Sequence, residues 1–468
     1  MQNEISPTKI IVSDLHLGAG GESNKLEDFT SDRDFLIWVN RLARESEQLR
    51  RPMDLIINGD FMEMLQVPAL EEFDPKAKYP PENYEVRTEL DAVRKVNLVI
   101  KGHPQVFQAL HNFVSGGNPR RRIVILWGNH DPELYWPKVQ EKIVEAIGAK
   151  PEDGTVIFPG YKFFEDGVYV EHGNQYSEPY NRFENPEAPL DRRYPTRLEI
   201  PSGSEFVMRF FNDIERERYW IDGVKPLESL VWYALSYDTK FALSLIPKLL
   251  EAAPLLTGKS AYVASAQSPD TAALASEISD HKGKEQTVRA LREDKVYRAA
   301  FYKRVRKALA AAGYEDPWRG ESPDYDIPHP AEGGSRLEAR ILDDLSRAAE
   351  RIAEESGAKV VVFGHTHQPL EAWLQNGKRY FNSGTWVWRG DFSTSGPFTW
   401  EDLFKHPDKY AKMRDLTYVR VDYRKNGEPK PALKRVGSAP QPIPRGRLGC
   451  IGALFAPLVG LISKLRSK

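Results

Sequence analysis

Five short apolar runs, each ended by residues that carry chemistry, constrain this chain more than any other feature. Lys9–Ser13 leads into Asp14-Leu15-His16, Asp54–Asn58 into Gly59-Asp60, and Arg122–Trp127 into Gly128-Asn129-His130-Asp131. Val168–Glu171 leads into a lone His172, and Lys359–Phe363 into Gly364-His365-Thr366-His367. Runs of this length rich in Val and Ile read as buried strands. Amphipathic stretches near Asp32–Gln48, Glu85–Val114, Lys138–Ile147 and Ser335–Ser356 predict helices between them. Such alternation is the pattern of an α/β fold, whose ligands gather at the carboxyl ends of strands. All five clusters occupy that position, so one shared site is expected. Five of the chain's ten histidines fall in them.

Alone, each cluster says little: Asp-x-His is ordinary surface chemistry, and Gly-Asp after a strand is a common turn. Together and in order they supply the ligands of two adjacent divalent metals. Asp14 and His16, two residues apart on an extended segment, share a face and can meet one ion. Asp60 has two carboxylate oxygens and is the natural bridge between ions about 3.5–4 Å apart. Asn129 offers a neutral amide oxygen, which limits the negative charge. His172, His365 and His367 complete a mixed N/O environment that suits Mn²⁺, Fe, Zn²⁺ or Co²⁺. His103, His111, His281, His329 and His406 lack such settings and read as ordinary surface or core residues.

With these residues in place, the chain resembles the calcineurin-like metallophosphoesterases, whose pattern D-x-H, G-D, G-N-H-[DE], H and G-H-x-H it matches at every position quoted. The resemblance spans Lys9–Gln368 but not the long segment after His172. It implies an α/β fold with a two-layered β core flanked by helices, a four-layer α/β/β/α sandwich. It also implies two divalent ions, with Mn²⁺ the first choice. Asp14, His16, Asp60 and His367 would hold the first, and Asp60, Asn129, His172 and His365 the second. His130 would contact the phosphate and protonate or position the leaving oxygen, with Asp131 orienting its ring. The activity implied is hydrolysis of a phosphodiester or pyrophosphate bond by metal-activated water.

Departures narrow the substrate. The protein Ser/Thr phosphatase pattern has Gly-Asp-x-x-Asp-Arg-Gly and Gly-Asn-His-Glu, where this chain has Phe61-Met62-Glu63-Met64 after Asp60, and Asp131. Double-strand-break repair nucleases share Gly-Asn-His-Asp and stand as an alternative. They expect a basic DNA-facing surface, which a net charge of −2 does not announce, so nucleic acid is not an expected partner. The bacterial UDP-2,3-diacylglucosamine pyrophosphatases are distantly similar in Asp-Leu-His-Leu and His-Thr-His, yet carry Arg where His130 stands. A catalytically silent scaffold of the same fold is a second alternative.

Residues 1–177 and 341–440 are expected to form the core, and residues 178–340 an inserted helical lid. In the insert, Glu205–Tyr219 is amphipathic and Leu227–Leu256 strongly apolar. The latter is either lid core or a surface for acyl chains or membrane. Asn174, Tyr176 and Tyr180 either reach a substrate head group or pack as loop. Residues 441–468 form an apolar tail whose Leu448–Ile462 stretch falls short of the roughly twenty residues a bilayer span needs. With Arg445, Arg447, Lys464, Arg466 and Lys468 flanking it, the tail is either an interfacial anchor or a docked helix, and Pro457 interrupts either. The polar first residues and a single cysteine, Cys450, lead to a cytoplasmic expectation, peripheral on the inner membrane face if the tail anchors. A phosphoester substrate is the expected partner, with a membrane surface reached through the tail; lipid-linked or nucleotide substrates fit the insert.

Overall fold

The computed structural model describes residues 6–257, 274, 276–278, 281–312 and 336–437. Strands β1 (Thr8–Val12), β2 (Met53–Asn58), β3 (Arg121–Leu126) and β4 (Val156–Gly160) lie parallel and side by side. β5 (Lys162–Glu165), β6 (Val168–Glu171), β8 (Val360–Phe363), β9 (Leu370–Trp373) and β10 (Arg379–Asn382) make a second sheet in the order β5-β6-β8-β10-β9. β12 (Thr417–Tyr423) returns antiparallel to β1, and β13 (Pro429–Arg435) closes that edge of the first sheet. β7 (Val224–Lys225) and β11 (Gly390–Asp391) form a separate parallel ribbon. The chain is a mixed α/β protein.

Alternation of side chains along the strands builds the core. Ile11, Ile56, Val124 and Val419 of the first sheet share one apolar cluster with Val168, Val170, Val360 and Val362 of the second. The intervening residues face outward. Tyr169, Val361, Phe363 and Tyr380 pack under Leu345, Ala349 and Ile352 of helix Arg336–Ser356. On the first sheet Ile10, Val12, Leu55, Ile57 and Ile123 are wholly buried too, and helix Pro104–Val114 packs on β3. Strands buried on both faces read as continuous apolar runs, which is why they stand out in the sequence.

One row of charges pins the amino ends of these strands. Lys9, Asp54 and Arg122 are register partners across β1, β2 and β3. Arg122 pairs with Asp54 at 2.8 Å and with Glu165 of β5, while Lys9 reaches Asp166 at 2.7 Å. The row ties the first sheet to the β5–β6 turn. Such buried charges are tolerated because each is paired.

The long stretch predicted as one helix over Glu85–Val114 is two, Glu89–Gly102 and Pro104–Val114, because Pro104 cannot continue a helix but suits the first turn of the next. A Cβ on Gly102 would lie 2.5 Å from Ala19 O, so the break admits the loop that follows His16. His103 sits at the break, its Nδ1 2.9 Å from Asp32 and its Nε2 3.3 Å from Glu27. Glu27 in turn accepts the amides of Gly18 and Gly20.

In the insert, Leu227–Tyr237 and Thr239–Thr257 are helices whose apolar residues are buried in the insert's own cluster. The stretch is packed as core rather than presented as an apolar surface. Trp388, Phe392, Trp400 and Leu403, from the part expected to belong to the core, pack into the same cluster. The described residues up to Lys434 belong to one compact unit. Among the described residues no helix is long and apolar enough to cross a membrane. The expectations for the tail at 441–468 fall outside the described residues.

Candidate metal centre

Parallel pairing of β1, β2 and β3, and of β6 with β8, puts the five clusters at corresponding strand ends. Backbone hydrogen bonds continue past the strands: Asp14 N donates to Gly59 O, His16 N to Asp60 O, and Gly364 N to His172 O. The chain turns sharply to aim its side chains. Asp14, His16, Asp60, His365 and His367 all have positive φ, five of the eight non-glycine residues that do among those described. A β-hydrogen-bonded frame on either side holds them in this sparsely populated region.

Ligating atoms gather in three overlapping groups, each within 4.8 Å: Asp14 with His16 and His367, Asp60 with His172 and His365, and His16 with Glu63 and His130. His367 Nε2 is 3.3 Å from Asp14 Oδ1 and 3.0 Å from His16 Nε2. Asp60 Oδ2 lies 3.0 Å from His172 Nε2 and 3.8 Å from His16 Nε2, between the two groups. Asp60 Oδ1 accepts the amide of His130 at 2.9 Å. The expected metal residues Asp14, His16, Asp60, His172, His365 and His367 thus come together, and Asn129 lines the same cleft.

Two glycines are required by close approach. A Cβ on Gly128 would sit 2.2 Å from Asp60 Oδ1, and one on Gly59, at φ +76°, would sit 2.5 Å from His172 Nδ1.

The donors fit divalent cations. His172 Nδ1 donates to Asn58 O at 3.0 Å, which leaves the lone pair on Nε2 turned toward Asp60. His16 Nδ1 is similarly committed to Glu63 Oε2 at 2.5 Å, with Nε2 facing the cluster. His172 Nε2 and Asn129 Oδ1 are buried and make no hydrogen bond. Lone pairs turned toward one another in a buried place are relieved by a cation or a proton among them. Without an ion, the proton is favoured. Burial opposes charge on His172, yet Asp60 and Asp14 outweigh it and hold the ring up at about 9. Burial would raise Asp60 as well, but His172 and His130 hold its carboxyl well below the usual range.

Two carboxylates of the site were not expected from the sequence. Glu63 receives Nδ1 of His130 at 2.7 Å and Nδ1 of His16 at 2.5 Å. Burial would lift its pKa, but His130 and His16 bring it to about 2. Its position follows from an isolated bridge between Leu17 and Met62 and from Glu63 N donating to Leu17 O at 2.9 Å, which run the two loops side by side. The signal available was its offset three residues after Asp60. Glu178, at the start of the insert, lies 3.2 Å from His365 Nε2.

Asp131 does not touch the His130 ring, contrary to the role the resemblance implied. Its carboxylate accepts the amides of Asp60, Phe61, Met62 and Gly128. A fully buried carboxylate can satisfy its lone pairs there, and doing so fixes the loop that presents Asp60. The ring is oriented by Glu63. Of the other expected residues, Asn174 donates to Asn181 O and Tyr176 to Glu171, so both pack locally, while Tyr180 lines the cleft. The cleft, about 290 Å³, is walled by Val207, Phe211, Ile341 and Leu342 on its apolar side. Val207–Phe211 is a π-helical turn between helices Ser202–Phe206 and Asn212–Glu217. No protein-family model and no curated protein matches the chain.

Proposed function

We propose that the chain is a two-metal phosphoesterase of the calcineurin-like metallophosphoesterase superfamily, with that group's α/β/β/α sandwich, a helical lid, and a phosphodiester or pyrophosphate as substrate. The observation that carries this is the meeting of two Asp/His groups with a further imidazole, His130, in one cleft. Asp14, His16, Asp60 and His367 would hold one ion, and Asp60, Asn129, His172 and His365 the other, with Mn²⁺ the first choice and Fe, Zn²⁺ or Co²⁺ compatible. When bound, the ions polarise the phosphoryl oxygens and lower the pKa of attacking water.

The chain's own residues do the rest. Glu63 holds Nδ1–H of His130, so Nε2 is the nitrogen that gives its proton to the leaving oxygen. The Glu63 carboxylate stabilises the imidazolium until that transfer; burial disfavours the charge, but Glu63 and Asp60 raise His130 to about 10. The apolar wall of Val207, Phe211, Ile341 and Leu342 favours a substrate with an apolar or aromatic part, as lipid-linked and nucleotide phosphoesters have.

The test is hydrolysis of bis-p-nitrophenyl phosphate with added Mn²⁺. Asp60→Ala and His130→Ala should each abolish it while the circular dichroism spectrum persists. Full activity in both variants would refute the assignment. Metal analysis of the purified protein with near-zero content, joined to inactivity on generic diesters, would leave the silent scaffold instead.

A further inference from the structure

The residues lining the cleft include several carboxylates and four histidines, but among the described residues only two strong bases, Lys225 and Arg389. Lys225 lies on β7, and Arg389 directly precedes β11. Gly390 pairs with Val224 and Asp391 with Lys225 in the β7–β11 ribbon, held by Gly390 N to Gly223 O at 2.8 Å and Phe392 N to Lys225 O at 2.7 Å. Alternation then decides what each residue faces. Val224, Trp388 and Phe392 enter the insert's apolar cluster, while Lys225 and Arg389 take the other face, toward the cleft.

Asp391, the register partner of Lys225, shares its face but forms no ion pair with it. Several other bases held in the structure are paired: Arg122 with Asp54 and Glu165, Lys95 with Glu133, Arg218 with Asp238. Lys225 and Arg389 form no ion pair within 4 Å among the described residues, and Arg389 Nε is buried with no hydrogen-bond partner. Leaving such a donor unmet is costly, and a bound acceptor removes that cost. The ribbon also has a fixed relation to the metal centre. Three residues before Arg389, Trp386 N donates to Asp14 O at 3.2 Å, and Thr385 Oγ1 to the same oxygen at 2.8 Å.

We infer that Lys225 and Arg389 form a second anion subsite that takes a phosphate or equivalent group of the substrate other than the one attacked. Resting on the phosphoesterase reading, this narrows the substrate to a pyrophosphate or another compound with two anionic groups, in preference to a simple diester. Asp222 and Glu178 line the same cleft and repel an anion, so the second group is confined to the face carrying the two bases.

A matched pair of substrates tests it: a dinucleoside pyrophosphate and the dinucleoside monophosphate with the same nucleosides. The selectivity, as the ratio of their kcat/KM values, should fall roughly tenfold in Lys225→Ala and in Arg389→Ala and roughly 100-fold in the double variant, mainly through KM. Arg389→Lys should recover part of it. An unchanged ratio in the double variant overturns the subsite. If the Mn²⁺-loaded wild type cleaves neither substrate, the phosphoesterase reading fails by itself. Calorimetric titration of metal-stripped protein with inorganic pyrophosphate then decides the subsite: tenfold weaker binding by the double variant supports it, and equal affinity overturns it.

Discussion

Replacing His103 with Gln tests the fold around the first cluster without touching any expected ligand. His103 is 2% exposed and sits between two carboxylates, Asp32 at 2.9 Å and Glu27 at 3.3 Å. Burial opposes its charge, but hydrogen bonds to Asp32 and Glu27 prevail and raise it to about 9. Against an unfolded value near 6.5, at about 1.36 kcal/mol per unit, the charged ring is worth up to about 3 kcal/mol. The folded pKa is raised, so this stability is fully present below pH 6.5, declines as pH rises, and is gone above about 9. Gln keeps size and a hydrogen-bonding end but cannot titrate. Urea unfolding of both proteins with metal chelated, followed by tryptophan fluorescence at pH 6, 7.5 and 9, gives the difference directly, since other titrating groups cancel. The wild-type advantage should be largest at pH 6 and shrink by up to about 3 kcal/mol by pH 9. A difference that is flat, or that grows with pH, would refute the pairing.

Two further outcomes concern the centre itself. Glu63→Gln removes the carboxylate that holds both His130 and His16, whose charged hydrogen bonds are worth about 1.5–3 kcal/mol each. Hydrolysis of bis-p-nitrophenyl phosphate should drop about 100-fold, within the usual range for impaired general acid catalysis, and wild-type turnover would rule out the role given to Glu63. Gly128→Ala would press a methyl group to 2.2 Å from Asp60 Oδ1, against a carboxylate fixed by the His130 amide. Calorimetric Mn²⁺ affinity should weaken at least tenfold, as for displaced metal-site supports, and an unaltered isotherm would contradict the packing.

The strands and the expected ligands were legible for one reason. A strand buried on both faces is an unbroken apolar run, and the residues proposed as ligands follow it within a few positions. Val168–Glu171 and Lys359–Phe363 show this, since each is short yet marked by the histidine after it. β4, β5 and β9 were missed because at most one residue of each is fully buried, so no apolar run advertises Val156–Gly160, Lys162–Glu165 or Leu370–Trp373. Glu63 and Glu178 were illegible for another reason. Their partners lie 67 and 187 residues away, and only the loop bridge at Leu17 and Met62 or the start of the insert brings them in. The charge row of Lys9, Asp54 and Arg122 is register information, which no single strand contains. The role of Asp131 was misjudged because a carboxylate beside a histidine in sequence can turn to backbone amides instead.

The separation of the site residues along the chain also sets when the centre can form. His16 and His367, whose Nε2 atoms are 3.0 Å apart, are 351 residues apart in sequence. The first two-thirds of the nascent chain carries Asp14, His16, Asp60, Asn129 and His172, but neither histidine of the last cluster. On the proposed metal assignment, half a centre with a weak hold on any ion precedes the whole one. Closing so long a loop adds only about 0.6 kcal/mol per doubling of length, yet non-local pairing slows folding. β8 must be made and must pair with β6 before His365 and His367 can arrive. Tight metal uptake would then be a late event in the life of each molecule, registering that the two halves of the β core have met.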